Sequence, residues 1–334
     1  VSKEKLRNLM KLLKVWGISG GILLLSIVHT QTYATTQYPS KPVRIVVGFS
    51  PGGPVDNISR ILSKRLSEKL GQPFIVDNKP GASSMIAAQF VANADPDGYT
   101  LLMVASTHAI NPNLYKNINF DTVKDFTPIG FVAENAFVLV VPKDLKVNNL
   151  AELIGLAKNQ SSPLNYASAG VGGLPHLAGE LFKLEAGIIT NHIPYKGASP
   201  ASVDLLAGHV SFMINNMQSA LPYIKDGRLK ALAMTSSERI SALPSVPTFK
   251  ELGYKGLQFT GWYGLLGPAG MSPDLVKELN VQLSQILREK EVVAQIRADG
   301  AEIKLGSPKD FSDRINSDIN KWSEVIKRAD IKGQ

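Results

Sequence analysis

Ser50-Pro51-Gly52-Gly53-Pro54-Val55-Asp56 lies between an apolar run and the start of a helical pattern. Gly52 and Gly53 let a ligand approach the backbone, and the first N–H groups of a helix have no intrahelical partners, so this point attracts an anion. The segment has neither the lysine and hydroxyl pair of a nucleotide phosphate loop nor the spacing of a dinucleotide fingerprint. A small carboxylate fits it better than ATP or NAD. The plain alternative is a strand-to-helix turn in which Asp56 is only an N-terminal helix acid. Three further segments have the same character. In Lys79-Pro80-Gly81-Ala82-Ser83-Ser84, a serine either caps the following helix or meets the ligand. Ser106-Thr107-His108 follows Ala105 at the end of an apolar strand, the edge at which open α/β sheets bind ligands. Ser168-Ala169-Gly170-Val171-Gly172-Gly173-Leu174-Pro175-His176 is a second glycine-rich helix entrance. Two such entrances, one per lobe, can face each other across a cleft.

The residue types exclude much other chemistry. The chain contains no cysteine, so thiol nucleophiles, disulfides and cysteine-based metal sites are out. Among the histidines, His108 and His176 fall inside candidate loops, where each either touches ligand or makes a structural hydrogen bond; His192 and His209 sit at strand or turn edges. No two histidines have zinc-like spacing, and neither a metal nor a cofactor is expected. No G-x-S-x-G elbow occurs, so a serine hydrolase would have to assemble a histidine and an acid around Ser50, Ser83 or Ser168. The expectation is therefore a binding protein and not an enzyme. An enzyme acting on a small acid is the rival.

Lys3, Lys5, Arg7, Lys11 and Lys14 precede the apolar run from Val15 to Val28, and Thr32-Tyr33-Ala34 offers small residues at a signal-peptidase site. Residues 1–34 read as a removable export signal, with an uncleaved anchor as the alternative, which places the working protein outside the cytoplasm. The whole chain has 36 basic and 28 acidic residues and a formal charge of +8, and the leading segment carries much of that excess. No basic face calls for a nucleic acid partner. No later stretch is apolar enough to span a bilayer.

The elements that must position these loops alternate. Val43–Phe49, Phe74–Asp77 and Thr100–Ala105 read as strands, with helices at Ile58–Leu70 and about Ser84–Ala94 between them, giving βαβαβ. After the strand Phe137–Val141 and a helix at Asn149–Lys158 comes a second unit, with strands Leu164–Ala167, His192–Pro194, Phe212–Asn215 and Ala231–Thr235 and helices Pro175–Leu184 and Pro200–Ala207. Phe259–Leu266 reads as a strand returning to the first unit, followed by helices Pro273–Lys290, Val292–Asp299 and Pro308–Ala329. The crossings fall near Val138 and Trp262. The expected lobes are 35–138 with 257–334, and 139–256. Trp262 either lines the cleft or belongs to the core.

The order of motifs resembles the substrate-binding proteins of tripartite tricarboxylate transporters, the Bug family. The resemblance rests on Tyr38-Pro39-Ser40-Lys41-Pro42-Val43-Arg44, Pro51-Gly52-Gly53 with Asp56, Asn78-Lys79-Pro80-Gly81-Ala82, and Asp95-Pro96-Asp97-Gly98-Tyr99-Thr100-Leu101. It continues through His108-Ala109-Ile110-Asn111-Pro112, His176-Leu177-Ala178-Gly179-Glu180-Leu181-Phe182, Pro194-Tyr195-Lys196-Gly197, Ala220-Leu221-Pro222, Pro244-Ser245-Val246-Pro247-Thr248 and Gly267-Pro268-Ala269-Gly270. It implies a type II periplasmic-binding-protein fold, two doubly wound α/β lobes joined by two crossing strands, closing on an organic acid. It further implies a periplasmic monomer that serves the membrane permease subunits of a tripartite transporter; a signalling partner is the alternative. By carry-over, Gly52, Gly53 and Asp56 form the first lobe's loop, Ala82 and Ser83 the next, and Ser168, Gly172 and Gly173 the facing loop. Ser50, Ser84, Ser106, His108, His176 and Asn215 complete the expected ligand set. Three positions depart from the family: Ser83-Ser84 replaces glycine, Gly173 replaces a hydroxyl residue, and Asn215 stands where an aspartate is usual. Loss of that carboxylate predicts a ligand without an ammonium group, a dicarboxylate or an aromatic acid.

Overall fold

The computed structural model describes residues 38–331; the expected export signal lies outside the described residues. The residues from Lys41 onward form one unit. Within it, β1 (Val43–Val47), α1 (Pro54–Leu70), β2 (Phe74–Asn78), α2 (Met85–Ala92), β3 (Thr100–Ala105), α3 (Thr107–Leu114) and β4 (Phe126–Asn135) build most of the first lobe. The chain crosses at Ala136 into β5 (Phe137–Pro142), α4 (Leu150–Asn159), β6 (Leu164–Ser168), α5 (Leu174–Ala186), β7 (Thr190–Pro194), α6 (Ala198–Leu206), β8 (Phe212–Asn216), α7 (Met217–Lys225) and β9 (Leu229–Met234). It returns through β10 (Gly261–Pro268), α8 (Pro273–Ile286), α9 (Lys290–Ala298), β11 (Ala301–Ile303) and α10 (Pro308–Arg328).

The first sheet has the order β11-β4-β10-β3-β1-β2 and the second β7-β6-β8-β5-β9. The pairings dictate where ligand loops can meet. β10 is antiparallel to both β3 and β4, so β4 runs with β1, β2 and β3 and leaves the sheet at their carboxyl edge. β5 starts there, and it is antiparallel to β8, which runs with β6 and β7. The carboxyl ends of β6, β7 and β8 therefore lie at the amino end of β5, and the two carboxyl edges face each other across the crossings. Open α/β sheets bind ligands at that edge.

Three elements escaped the hydrophobic pattern. α3 carries Pro112 inside its eight residues, β4 carries Pro128 and Gly130, which strands disfavour, and α7 follows β8 without a linker and contains Pro222. α1 begins at Pro54, four residues before the first apolar position of its stripe, because proline suits a first helical turn. One core cluster packs the first sheet against α2 and the start of α10 through Val46, Val91, Leu102, Phe131, Trp262 and Phe311. Another gathers the second lobe around Leu139, Tyr166, Phe182 and Phe212 and also takes in Ile110 and Leu114 from α3 and Trp322, Val325 and Ile326 from α10. α10 is thus shared between the lobes. Trp262 is fully buried, and its Nε1–H donates to Asp318 Oδ2 at 2.7 Å, so of its two expected places it occupies the core.

Candidate functional site

Asp56 closes the first loop on itself. Its Oδ2 accepts the Gly52 N–H at 2.9 Å and Arg60 Nε at 2.8 Å, and its Oδ1 accepts Asn78 Nδ2 at 2.9 Å. Burial pushes its pKa up, but the bonds from Arg60, Gly52 and Asn78 together outweigh that and hold it below the usual value. The buried carboxylate is thereby spent on shaping the turn, with Gly52 at φ +81, and the half-buried Gly53 is the N-cap of α1 with no side-chain cap. Asp56 was expected among the ligand contacts; it is the residue that holds the loop.

The second loop is strained. Ala82, Ser83 and Ser84 have φ of 44, 51 and 73, three consecutive residues with a Cβ in the left-handed region. Each such residue costs roughly 1–2 kcal/mol, and glycine would adopt the conformation freely. The loop is held by Asn111 Nδ2 donating to Ser83 O at 2.9 Å and by a 2.8 Å bond between Ser83 Oγ and Tyr115 OH. Ser84 is buried against Gly48, where a Cβ would lie 1.8 Å from Ser84 Oγ. Ala82 and Ser83 are exposed.

At the third strand end, Ser106 is buried and its N–H donates to Trp262 O at 3.1 Å. Next to it, Thr107 Oγ1 is buried without a hydrogen-bond partner. His108 points inward. Its Nε2 lies 3.0 Å from Thr122 O, its ring sits edge-on to Phe126, and burial lowers its pKa to about 4. Its expected ligand contact gives way to a structural hydrogen bond, because the α3 helix turns this face into the core.

The second lobe's loop is tied by two neutral imidazoles. The Gly172 N–H donates to His176 Nδ1 at 3.0 Å, and Ser168 Oγ lies 2.6 Å from His192 Nε2 and 3.0 Å from Gly170 O. The two rings stack at 3.9 Å, and His192 also stacks on Tyr166. Burial lowers both pKa values, that of His192 to about 3 with help from His176 and Lys183. Ser168 is fully buried and its hydroxyl is committed, so Ser168 and His176 shape the loop that carries Gly172 and Gly173. His192 was missed by sequence reasoning; it is brought to this loop by the parallel pairing of β6 with β7, which sets it beside Tyr166. The Ser168 hydroxyl is inaccessible and held between His192 Nε2 and Gly170 O. Gly172, at φ +77, meets the first lobe directly: a Cβ there would lie 2.4 Å from Leu114 Cδ1.

Asn215 is spent inside the second lobe. Its Nδ2 reaches Ser202 Oγ on α6 at 3.4 Å and its Oδ1 accepts the Asn216 N–H at 2.8 Å, leaving it 1% exposed. Its neighbour Asn216 caps α7 through the Gln218 N–H. Where the lobes meet lies a cavity of about 510 Å³ with Gly52, Pro54 and Asn57 on one side and Gln218, Ser219 and Lys225 on the other. Of the expected residues Gly52 lines it; Ser50 lies exposed beside it in sequence. Lys225 adds a cation that no motif announced.

The helix ends sort into two kinds. α1, α2, α3, α5 and α6, which follow β1, β2, β3, β6 and β7 at the facing edges, start at Gly53, Ser84, Ser106, Gly173 and Gly197 with no side-chain cap. α4, α7, α8 and α10 are capped by Asn149, Asn216, Ser272 and Ser307. Both lobes thus bring helix starts that lack a side-chain cap to the facing edges, an arrangement that suits an anion with two ends. Among the described residues no cluster of His, Asp or Glu is placed to hold a metal, and no helix is long and apolar enough to cross a membrane.

The family model of the tripartite tricarboxylate transporter family receptor matches residues 58–331. The chain belongs to this receptor family. It is similar to Protein BugT of Bordetella pertussis, 35% identical over 97% of this chain and 99% of that one. Among solved structures it is similar to an R. palustris protein with adipate, 34% identical with a TM-score of 0.80 over 89% of this chain and all of that one. It is also similar to MatC from Rhodopseudomonas palustris with bound malate, 30% identical with a TM-score of 0.75 over 86% of this chain and 100% of that one. The receptor family and its two-lobed α/β fold agree with what the ordered motifs implied.

Proposed function

We propose that this receptor captures a small dicarboxylate between its lobes, outside the cytoplasm, and presents it as a monomer to the membrane subunits of a tripartite transporter. The observation that carries the reading is the set of uncapped helix entrances, three in one lobe and two in the other, at carboxyl edges that face each other. Each charge-assisted N–H to carboxylate bond contributes about 1.5–3 kcal/mol. Adipate and malate, held by the two R. palustris relatives, are both dicarboxylates, which supports the same class here.

The expectation of a ligand without an ammonium group now has a different basis. Asn215 is turned toward Ser202, so its identity does not decide the matter. Asp56, the ionised carboxylate in the first loop, is already paired with Arg60, and the carboxylate that lines the cavity, Asp299, shares it with Lys225. Calorimetric titration with succinate, malate, adipate, aspartate and glutamate tests this. Binding of one or more of the first three, with none of the amino acids, is expected; tight binding of aspartate or glutamate alone would overturn it.

A further inference from the structure

We propose that Arg314 is the pin of the hinge, a positioning residue that fixes the two crossing strands relative to each other and so sets the lobe geometry that receives ligand. This rests on the reading that the two lobes close on a ligand. The crossings are adjacent strands: Gly261 pairs with Asn135 and Trp262 with Glu134 in the β4–β10 register. They are packed too closely for a side chain at Gly261, where a Cβ would lie 2.6 Å from Asn135 Oδ1 and 3.0 Å from Phe137 Cε2. Thr235, the residue after β9, ties into the same point. Its N–H donates to Phe137 O at 2.9 Å, its Oγ1 accepts the Phe137 N–H at 3.0 Å, and its carbonyl accepts the Phe259 N–H at 2.8 Å.

One guanidinium grips both legs. Arg314 Nη1 donates to Glu134 Oε1 at 2.7 Å on the outgoing strand, and Nη2 donates to Thr260 O at 2.9 Å and Thr260 Oγ1 at 3.1 Å on the returning one. Nε donates to Asp318 Oδ1 at 3.1 Å, and Asp318 Oδ2 accepts Trp262 Nε1–H. A planar fork holds partners on two strands in a fixed geometry, which the rotatable donors of an ammonium do not impose. Arg314 and Glu134 have 23% and 20% of their side chains exposed, so the pair is far less screened than a surface salt bridge. Arg314 sits on α10 between the turns that carry Phe311 in the first lobe's cluster and Trp322, Val325 and Ile326 in the second lobe's cluster. The helix braces both lobes, and the pin lies where the brace crosses the legs. In this geometry the lobes touch through Leu114 and Gly172 and through Tyr263 OH donating to Gln218 Oε1 at 3.2 Å.

The absence of native cysteine permits a clean distance measurement. Lys64→Cys and Val203→Cys place spin labels on exposed positions of the two lobes. In ligand-free protein carrying only that pair, pulsed electron resonance should give one narrow interlobe distance. Arg314→Met should broaden it and add a second population, Arg314→Lys should fall between, and affinity for succinate or adipate should drop roughly tenfold if the pinned geometry falls to about a tenth of the molecules. If Arg314→Met does not fold, the double variant Glu134→Gln, Thr260→Val removes the partners instead and is read in the same way. A distribution in folded variants as narrow as in the parent, whatever their melting temperature, overturns the proposal, as does a parent that is already broad. Failure of the parent to bind any carboxylate would sink the functional reading alone, because the distance comparison is made without ligand.

Discussion

The helix N-termini at the facing sheet edges and those on the outside of the molecule are built by opposite rules. α10 begins with Ser307, whose hydroxyl accepts the Asp310 N–H while the Asp310 carboxylate accepts the Ser307 N–H, so the outer end satisfies itself. α1 and α5 begin at glycines that offer no oxygen at all. The side chains nearby, Asp56 and His176, reach the glycine before the cap and fix the turn, leaving the helix end open. The exceptions are informative: α7 lies in the second lobe's edge yet is capped by Asn216, and α9 is uncapped at Glu289 away from the facing edges. The contrast teaches that the facing ends forgo local stability, roughly a few tenths of a kcal/mol at each glycine cap, where a bound anion would restore it.

Acid should separate the two kinds of end most strongly. The inner loop depends on neutral His176 and His192, and His108 is buried neutral in the first turn of α3. Their folded pKa values lie below the unfolded one, so the unfolded chain binds more protons. The stability they contribute is complete above about pH 6.5 and is lost as pH falls toward about 4 for His108 and about 3 for His192. His108 alone accounts for roughly 3 kcal/mol of that loss. The outer capping box depends on Asp310, whose hydrogen bonds with Ser307 lower its pKa, so it persists until the pH falls through the carboxylate range. Thermal melts from pH 7 to 4 should show a steady decline that His108→Asn removes in part; a flat profile would contradict it.

Next in size is Gly172→Ala. The methyl must adopt φ +77 and meets Leu114, so a cost of about 1–3 kcal/mol is expected. Calorimetry should show it mainly as lost ligand affinity, since the strain is relieved when the loop shifts. Ser307→Ala should do the reverse, lowering stability by about 1 kcal/mol with affinity unchanged. The smallest effect is expected at the strained second loop. Ala82→Gly relieves a left-handed residue whose side chain is exposed, and should stabilise by up to about 1 kcal/mol; destabilisation in urea melts would show that the loop does not hold that conformation.

How far the sequence spoke follows the same line. Strands such as Thr100–Ala105 were legible because apolar runs bounded by turn residues report burial directly. The loops were legible as glycine-rich strand-to-helix turns. The roles of Asp56, Ser168 and His176 were not, because they depend on partners such as Asn78 and on a histidine, His192, that only sheet pairing brings near. The directions of His108 and Asn215 were not legible for a related reason: one lies in the helix after β3 and the other near the end of β8, and each side chain turns inward, to Thr122 and to Ser202. β4 stayed hidden because Pro128 and Gly130 interrupt a strand whose stability comes from β10 and β11 on either side.

The claim that both lobes hold one anion through open helix ends is tested most directly by amide chemical shifts in isotope-labelled protein titrated with adipate or succinate. The amides at Gly53, Val55, Gly173, Leu174, Gly197 and Ala198 should shift together at one saturating stoichiometry, while those at the starts of α4, α8 and α10 stay in place. Shifts confined to one lobe, or appearing first at the capped outer ends, would contradict the account.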